Sequence, residues 1–298
     1  MRGGPQYLNL QQIAKITGRP LHELLQMHVL ESFVERLSRS VHHDSFVLKG
    51  GVLLPAYLSR RPTRDVDLQS LSLSHEIDEV AYRLRDVATF ALDDGTILSS
   101  DFLDVRVIRD DEVYSGLRFK VDARVATARI RFHIDISFGD PIFPRPQVIE
   151  LPRLIGNSIR ILGYPLEMVL AEKIVTAVQR STFNTRWRDF VDVLVITRRH
   201  VIDGSRTIDS VNRVADFRRV RRQPLESLLS GIGATAEPRW SQWREKQRLA
   251  EFVPESFDVV VREFIHFAGP VVVGSAAGQR WSPLSREWEP DEGSSAQD

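Results

Sequence analysis

The chain has 298 residues, enough for one large domain or two modest ones, each with its own core. It contains no cysteine, so disulfides, thiolate metal ligands and cysteine nucleophiles are excluded, and any metal must bind carboxylates, histidine or water. Its 40 basic and 40 acidic residues cancel to a formal net charge of zero, so nucleic acid can be bound only by a local basic patch.

The sequence also bears on where the protein acts. No apolar run approaches the roughly 20 residues that a membrane-spanning helix requires. The first ten residues lack the apolar stretch of a secretory signal peptide. We therefore expect a cytoplasmic protein without a membrane partner.

In chain order, residues 6–40 are predicted to be helical, with an apolar stripe at helical spacing from Leu21 to Leu37. The apolar run Phe46, Val47 and Leu48 then leads into two glycines, which is typical of a strand before a tight turn. Alternation of polar and apolar residues predicts three further strands, at residues 64–70, 114–120 and 128–138. Helical periodicity predicts helices at residues 52–58, 77–90, 166–180 and 188–196, and over most of the chain to about residue 268.

This order of elements predicts an α+β fold in which a mixed sheet is flanked by N-terminal helices and a helical C-terminal region. The predicted divisions are an N-terminal helical segment at 1–44, a sheet core at 45–155, a helical region at 156–273 and a flexible tail at 274–298. The tail is predicted from its content of glycine, serine, proline and acidic residues.

The first candidate site lies on the predicted strand at 64–70. Residues two apart in a strand point to the same face, so Asp65 and Asp67 would set two carboxylates side by side. Such a pair repels itself unless a cation lies between the two, and Mg²⁺ prefers carboxylate and phosphate oxygens. The preceding Gly50 and Gly51 would let the backbone approach a phosphate closely. The competing interpretation is a strand edge with two solvated aspartates.

A third carboxylate is predicted from the strand at 128–138. Its apolar residues alternate with polar ones, so Asp135 lies on the polar face of a strongly apolar strand. If this strand neighbours the first, Asp135 joins Asp65 and Asp67, and three carboxylates can hold two metal ions for phosphoryl transfer. Alternatively, Asp135 faces water on an antiparallel sheet.

Two predicted helices contribute the remaining candidates. Lys173 and Arg180 are seven residues apart on one helical face, and a lysine there can reach triphosphate oxygens. Asp189 and Asp192 are three apart and share a face, so either can orient Lys173 or accept a proton. The competing interpretations are a solvated surface lysine and acidic residues that suit the start of a helix.

Five segments together resemble the AbiEii/AbiGii toxin family, which includes the mycobacterial MenT toxins. In order they read FVLKGGVLL, RPTRDVDL, IDISFGD, EMVLAEK and RWRDFVDV. Each is weak alone, but the five in this order are specific, and the resemblance covers roughly residues 20–270.

The resemblance implies a polymerase β-like nucleotidyltransferase core followed by a helical region. It also implies a Mg²⁺-dependent toxin of a two-gene toxin–antitoxin or phage-defence system, with NTP as substrate and an antitoxin protein as partner. Some members transfer nucleotides to the 3′ end of tRNA and so block translation. The family motifs fall on Gly50, Gly51, Asp65, Asp67, the third carboxylate Asp135, Lys173 and Asp192, with Asp189 as a competitor for the last position.

The chain departs from the family at one motif. Family members often have Gly-Ser where this chain has Gly50 and Gly51, so backbone N–H groups must replace the serine hydroxyl, and Thr63 is a candidate for supplying a hydroxyl nearby. Two basic clusters are candidate RNA contacts. They are a later segment with five arginines, at 213, 218, 219, 221 and 222, and the strand residues at 118, 120, 124, 129 and 131.

Two other functions remain open at this point. The same metal chemistry serves a nucleotidyltransferase that modifies a small molecule such as an aminoglycoside. A non-catalytic protein of a defence complex is the third possibility, although the acidic residues are retained.

Overall fold

The computed structural model describes residues 4–58, 60–71, 76–102, 104–110, 114–181 and 186–291. The chain divides into two compact units. The first contains the chain to Asp140 together with Pro146–Tyr164, and the second contains Pro141–Arg145 together with the chain from Pro165.

The helices of the described residues are α1 to α10 in chain order. They are Gly4–Thr17, Leu21–Arg39, Gly50–Leu53, Ile77–Thr89, Leu166–Arg180, Trp187–Thr197, Gly204–Phe217, Leu225–Leu228, Ile232–Lys246 and Phe257–Val273. The strands are β1 to β11. They are Phe46–Lys49, Asp65–Ser70, Thr96–Leu98, Asp104–Asp110, Tyr114–Val125, Ala128–Ser137, Gln147–Leu151, Ile159–Gly163, Ile202–Asp203, Gln279–Ser282 and Glu287–Pro290.

The first unit is built on a mixed sheet of eight strands. The strand order is β3-β5-β6-β2-β1-β8-β7, and β4 pairs with β5 beside β3. β2 runs parallel to β6 and antiparallel to β1, while β1 runs parallel to β8. β1 and β2 are therefore interior strands, which explains why Phe46, Val47 and Leu48 are all buried.

Helix α2 covers one face of this sheet and forms the core of the first unit. It packs against β6 and β8, and the rings of Phe33 and Phe132 are 6.1 Å apart. In β6 the apolar residues from Ile130 to Ile136 are buried at every second position, and the intervening polar residues point to the opposite face. The predicted alternation is confirmed, and it leaves Asp135 on the face away from α2.

The second unit is mainly helical and packs around aromatic side chains. Phe190 of α6 contacts Phe257 and Phe264 of α10, and the fully buried Trp240 of α9 contacts Phe257 as well. The predicted helix at 166–180 is confirmed as α5. The α+β fold with a mixed sheet, N-terminal helices and later helices is also confirmed.

The structure differs from the predicted tail. β10 and β11 form an antiparallel hairpin in which Trp281 opposes Trp288, and β10 also pairs with β9. Trp281 is buried, and its indole N–H donates to the Thr197 carbonyl at 2.7 Å. The composition favoured flexibility because most residues of this segment are small or acidic. Two tryptophans nevertheless anchor the hairpin, since Trp281 and Trp288 donate hydrogen bonds to the carbonyls of Thr197 and Phe267. Residues 292–298 of the predicted tail lie outside the described residues.

The prediction placed only β1, β2, β5 and β6 in this sheet. It missed the edge strands β3, β4 and β7, and it missed β8, which lies between β1 and β7. β3, β4, β7 and β8 carry weaker alternation, and β8 continues the sheet past residue 155. None of the helices in the described parts of the chain has the length and apolar character needed to cross a bilayer.

Candidate active site

Asp65 and Asp67 lie at the beginning of β2 and point to the same face of the sheet. The parallel register with β6 sets Asp65 beside His133 and Asp67 beside Asp135. The predicted neighbourhood of these two strands is therefore observed. Three aspartates lie at adjacent positions on two neighbouring strands of the first unit.

Asp67 is half-buried, and it is electrostatically strained. Burial raises the pKa of Asp67 to about 6, and repulsion from Asp135 and Asp65 acts in the same direction. Lys49, which opposes Asp67 across β1 and β2, lowers this pKa in part, as does a hydrogen bond from the Gly51 N–H. The contacts with Lys49 and Gly51 lower the pKa by less than burial raises it. A further cation beside Asp67 would therefore stabilise its ionised carboxylate.

The glycine turn is shaped around the same carboxylate. Gly50 has φ +66°, and a Cβ on it would overlap the carboxyl group of Asp67. A Cβ on Gly51 would meet the Thr63 hydroxyl, so that hydroxyl lies beside the turn. The structure thus brings the predicted residues Gly50, Gly51, Thr63 and Asp67 together.

Asp65 and Asp135 each have a partner on an adjacent strand. The His133 Nδ1 is 3.0 Å from an Asp65 oxygen. Arg118 of β5 donates from Nε and Nη2 to the two oxygens of Asp135, at 2.7 and 2.6 Å. This bidentate hydrogen bond raises the pKa of Arg118.

Carboxylates on this face are the oxygen donors that Mg²⁺ prefers, and the raised pKa of Asp67 shows that burial and repulsion from the other two aspartates outweigh the charge of Lys49. The donor chemistry therefore fits a hard divalent cation. Among the described residues, however, no set of three or more histidine, aspartate and glutamate side chains is arranged to hold a metal ion. The Asp135 oxygens are engaged by Arg118, and the assignment of Asp65, Asp67 and Asp135 as metal ligands stays a prediction.

In the second unit, Lys173 of α5 is held between two aspartates of α6. Its Nζ donates to Asp189 at 2.9 Å and to Asp192 at 2.7 Å. Both carboxylates are buried, and Arg186 contacts the other oxygen of Asp189 at 3.1 Å. The sequence left open which aspartate orients Lys173, and in the structure both accept a hydrogen bond from it.

The remaining predicted basic residues of this unit are spread over α5 and the end of α7. Arg180 is the last residue of α5 and is half-buried. Arg218 hydrogen-bonds Thr176 at 3.1 Å and lies 3.5 Å from Glu172, so part of its charge is compensated. The other arginines of the segment are exposed, namely Arg213, Arg219, Arg221 and Arg222.

Three side chains near the aspartates were missed as site residues. Lys49 donates to Asp140 at 3.2 Å, His133 contacts Asp65, and Arg118 had been placed in a candidate RNA patch. A signal for Arg118 was present, because only two residues separate β5 from β6. Val125 and Ala128 pair at the turn, so the residue seven positions before Val125 lies opposite the residue seven positions after Ala128. These two residues are Arg118 and Asp135.

The interior strand β2 of the mixed sheet carries paired aspartates beside a glycine turn, and the family match shows that a protein with this arrangement is a nucleotidyltransferase. The chain belongs to the nucleotidyl transferase AbiEii toxin family of type IV toxin–antitoxin systems, whose model matches residues 32–263. Membership implies an NTP substrate and an antitoxin partner.

The structure of a known toxin agrees with this fold. MenT4, a nucleotidyltransferase toxin from Mycobacterium tuberculosis H37Rv, is similar with a TM-score of 0.57 and 15% sequence identity, covering 89% of either chain. JHP933 from Helicobacter pylori has a TM-score of 0.48 and 14% identity, covering 85% of this chain and 94% of its own. No curated protein sequence matches the chain.

Proposed function

We propose that this toxin transfers a nucleotide from an NTP to the 3′ end of an RNA, with tRNA as the acceptor, and so blocks translation in the cytoplasm. The acceptor 3′-hydroxyl attacks the α-phosphorus, the bond to the β-phosphate oxygen breaks, and pyrophosphate leaves. The observation that carries the proposal is the pair Asp65 and Asp67 beside Asp135 and next to a glycine turn.

The three aspartates are the proposed Mg²⁺ ligands. A bound Mg²⁺ supplies charge neutralisation for the triphosphate and lowers the pKa of the attacking hydroxyl. Asp65 and Asp67 present their carboxylates from alternate positions of one strand, and His133 fixes the orientation of Asp65. Burial and, after it, repulsion from Asp135 and Asp65 raise the pKa of Asp67, and a divalent cation would relieve that repulsion.

The turn and its surroundings are the proposed phosphate contact. Gly50 is exposed and lacks a Cβ, so the triphosphate can come close to the backbone there. Thr63 supports this contact with a hydroxyl beside Gly51. It takes the place that a serine holds in relatives with a Gly-Ser motif.

Lys173 is the proposed cation for the triphosphate, and Arg180 adds charge about two helical turns further along α5. Asp189 and Asp192 fix the position of the Lys173 ammonium group, because both accept hydrogen bonds from it in a buried setting. We expect Asp192, the more deeply buried of the two, to be the more important of these positioning residues.

The exposed arginines near the end of α7 are the proposed RNA contact. Arg213, Arg219, Arg221 and Arg222 lie within ten residues, and such a cluster holds a phosphate backbone by releasing counterions. The rival cluster on the sheet is less suitable, because Arg118 and Arg131 are already paired with Asp135 and Asp122. Binding of tRNA should therefore weaken steeply with salt, and a flat salt profile would contradict this contact.

The test is an in vitro transfer assay that combines each labelled NTP with total tRNA and Mg²⁺. We expect label in the RNA with the wild-type protein and none with Asp67→Ala, while Asp122→Ala, on β5 of the same sheet, serves as a matched control with normal transfer. Label on a small molecule instead of RNA would favour the antibiotic-modifying alternative. Near-normal transfer by Asp67→Ala would refute the assignment.

A further inference from the structure

Arg118 contacts the site, although the proposed reaction assigns it no role. Its guanidinium lies between strands, with both Asp135 oxygens bound through Nε and Nη2. The Asp135 side chain is 15% exposed and that of Arg118 is 39% exposed, so the pair is sheltered on the carboxylate side and open on the guanidinium side. Asp65 and Asp67 also act on Arg118 through their charges. Arg118 therefore binds Asp135 directly and also feels the charges of Asp65 and Asp67.

The hairpin that carries this pair holds it in register. β5 and β6 pair antiparallel from Leu117 and Ile136 to Val125 and Ala128, so the backbone positions of Arg118 and Asp135 stay opposite each other. Only a rotation of the two side chains can separate the guanidinium from the carboxylate. A second bidentate pair, Asp122 with Arg131, lies on the same two strands nearer to the turn. It is an internal control, because it has the same chemistry and geometry but is fully paired away from the aspartate cluster.

We propose that Arg118 is a positioning residue that occupies Asp135 in the metal-free protein and must release it before Asp135 can bind a divalent ion. The proposal rests on the proposed function, since it concerns the same carboxylates. Two features support it. A bidentate guanidinium uses both oxygens of the carboxylate, and a positive charge so close to the site repels a second cation.

The consequence is a site with two levels of affinity. Asp65 and Asp67 form the part that is open to a cation, whereas Asp135 joins at the cost of breaking two charge-assisted hydrogen bonds. Arg118 thereby limits metal binding until Asp135 is freed. After release, its guanidinium still lies next to the site and can pair with an incoming phosphate oxygen.

The test is the affinity for Mn²⁺ alone, measured by titration calorimetry without nucleotide. Arg118→Gln should bind Mn²⁺ about tenfold more tightly than the wild type or better, because a full charge is removed and Asp135 is freed. Arg131→Gln should leave the affinity unchanged. Arg118→Lys keeps the charge but not the bidentate geometry, so its Mn²⁺ affinity should lie between those of the wild type and Arg118→Gln. This variant replaces Arg118→Gln in the test if Arg118→Gln folds poorly.

A double variant separates release of Asp135 from a general charge effect. In an Asp135→Asn background, Arg118→Gln should change Mn²⁺ affinity much less than it does in the wild type. Equal tightening in both backgrounds would overturn the proposal, as would unchanged or weaker Mn²⁺ binding by Arg118→Gln, or Mn²⁺ binding by neither protein.

These outcomes remain distinct from failure of the proposed function. If the wild type transfers nucleotides and Arg118→Gln binds Mn²⁺ as the wild type does, only the role of Arg118 is wrong. If Arg118→Gln binds Mn²⁺ more tightly but no RNA is labelled by the wild type, the role of Arg118 stands and the proposed acceptor is wrong.

Discussion

Replacing Asp67 by asparagine should stabilise the metal-free protein at neutral and alkaline pH. The folded pKa of about 6 lies above the ordinary value of 3.8, so the folded state holds this proton more tightly than the unfolded chain does. Folding stability in the wild type is therefore lost as the pH rises from about 4 to about 6, and it stays reduced above that range. Asparagine carries no charge and avoids this loss.

The magnitude follows from the shift. The difference between the ordinary pKa of 3.8 and the folded pKa of about 6 corresponds to at most about 3 kcal/mol above pH 6, and to little at pH 4. Urea unfolding in EDTA at about pH 4.5 and about pH 8 measures it. Mg²⁺ should raise the stability of the wild type at the higher pH and leave Asp67→Asn unaffected.

Asp122→Asn is the matched control for this experiment. Asp122 lies in an exposed pair on β5, and the hydrogen bond from Arg131 lowers its pKa, so its substitution should bring no gain in stability at alkaline pH. If Asp67→Asn in EDTA at about pH 8 is no more stable than the wild type, the account of electrostatic strain at Asp67 is wrong.

Three further predictions concern packing and backbone. Gly50→Ala should lower the free energy of unfolding by at least about 1 kcal/mol, because φ is positive and the new Cβ overlaps Asp67, and an unchanged urea midpoint would contradict this. Lys173→Met should lower the free energy of unfolding by about 3–5 kcal/mol and abolish transfer, because it leaves the buried carboxylates of Asp189 and Asp192 without their cation. Thermal unfolding with wild-type stability would contradict a stabilising role for these ion pairs. Trp281→Ala should cost about 3–5 kcal/mol and expose the β10–β11 hairpin to proteolysis, and protease resistance equal to the wild type would show that Trp281 does not anchor it.

Local sequence patterns predicted the parts of the site that depend on one strand or one helix. The alternation in β6 set Asp135 on the polar face, and the two-residue spacing in β2 set Asp65 and Asp67 together. The spacing in α6 similarly set Asp189 and Asp192 on one face, where both contact Lys173. These features follow from periodicity alone.

Features that depend on pairing between strands were harder to predict. The contact between Arg118 and Asp135 requires the register of the β5–β6 hairpin, and the predicted strand at 114–120 ended too early to reveal its turn. The proximity of Gly50 to Asp67 depends on the pairing of β1 with β2 and on a positive φ. The β10–β11 hairpin was missed because composition was given more weight than its two tryptophans.

The central claim is that Asp65 and Asp67 hold the divalent ion used for nucleotide transfer. Crystals of the protein soaked in Mn²⁺ and a non-hydrolysable NTP analogue would test it through the anomalous difference map. We predict a peak within coordination distance of both carboxylates and of the analogue's phosphates. A strong peak elsewhere in the chain, or none at these two aspartates, would contradict the account.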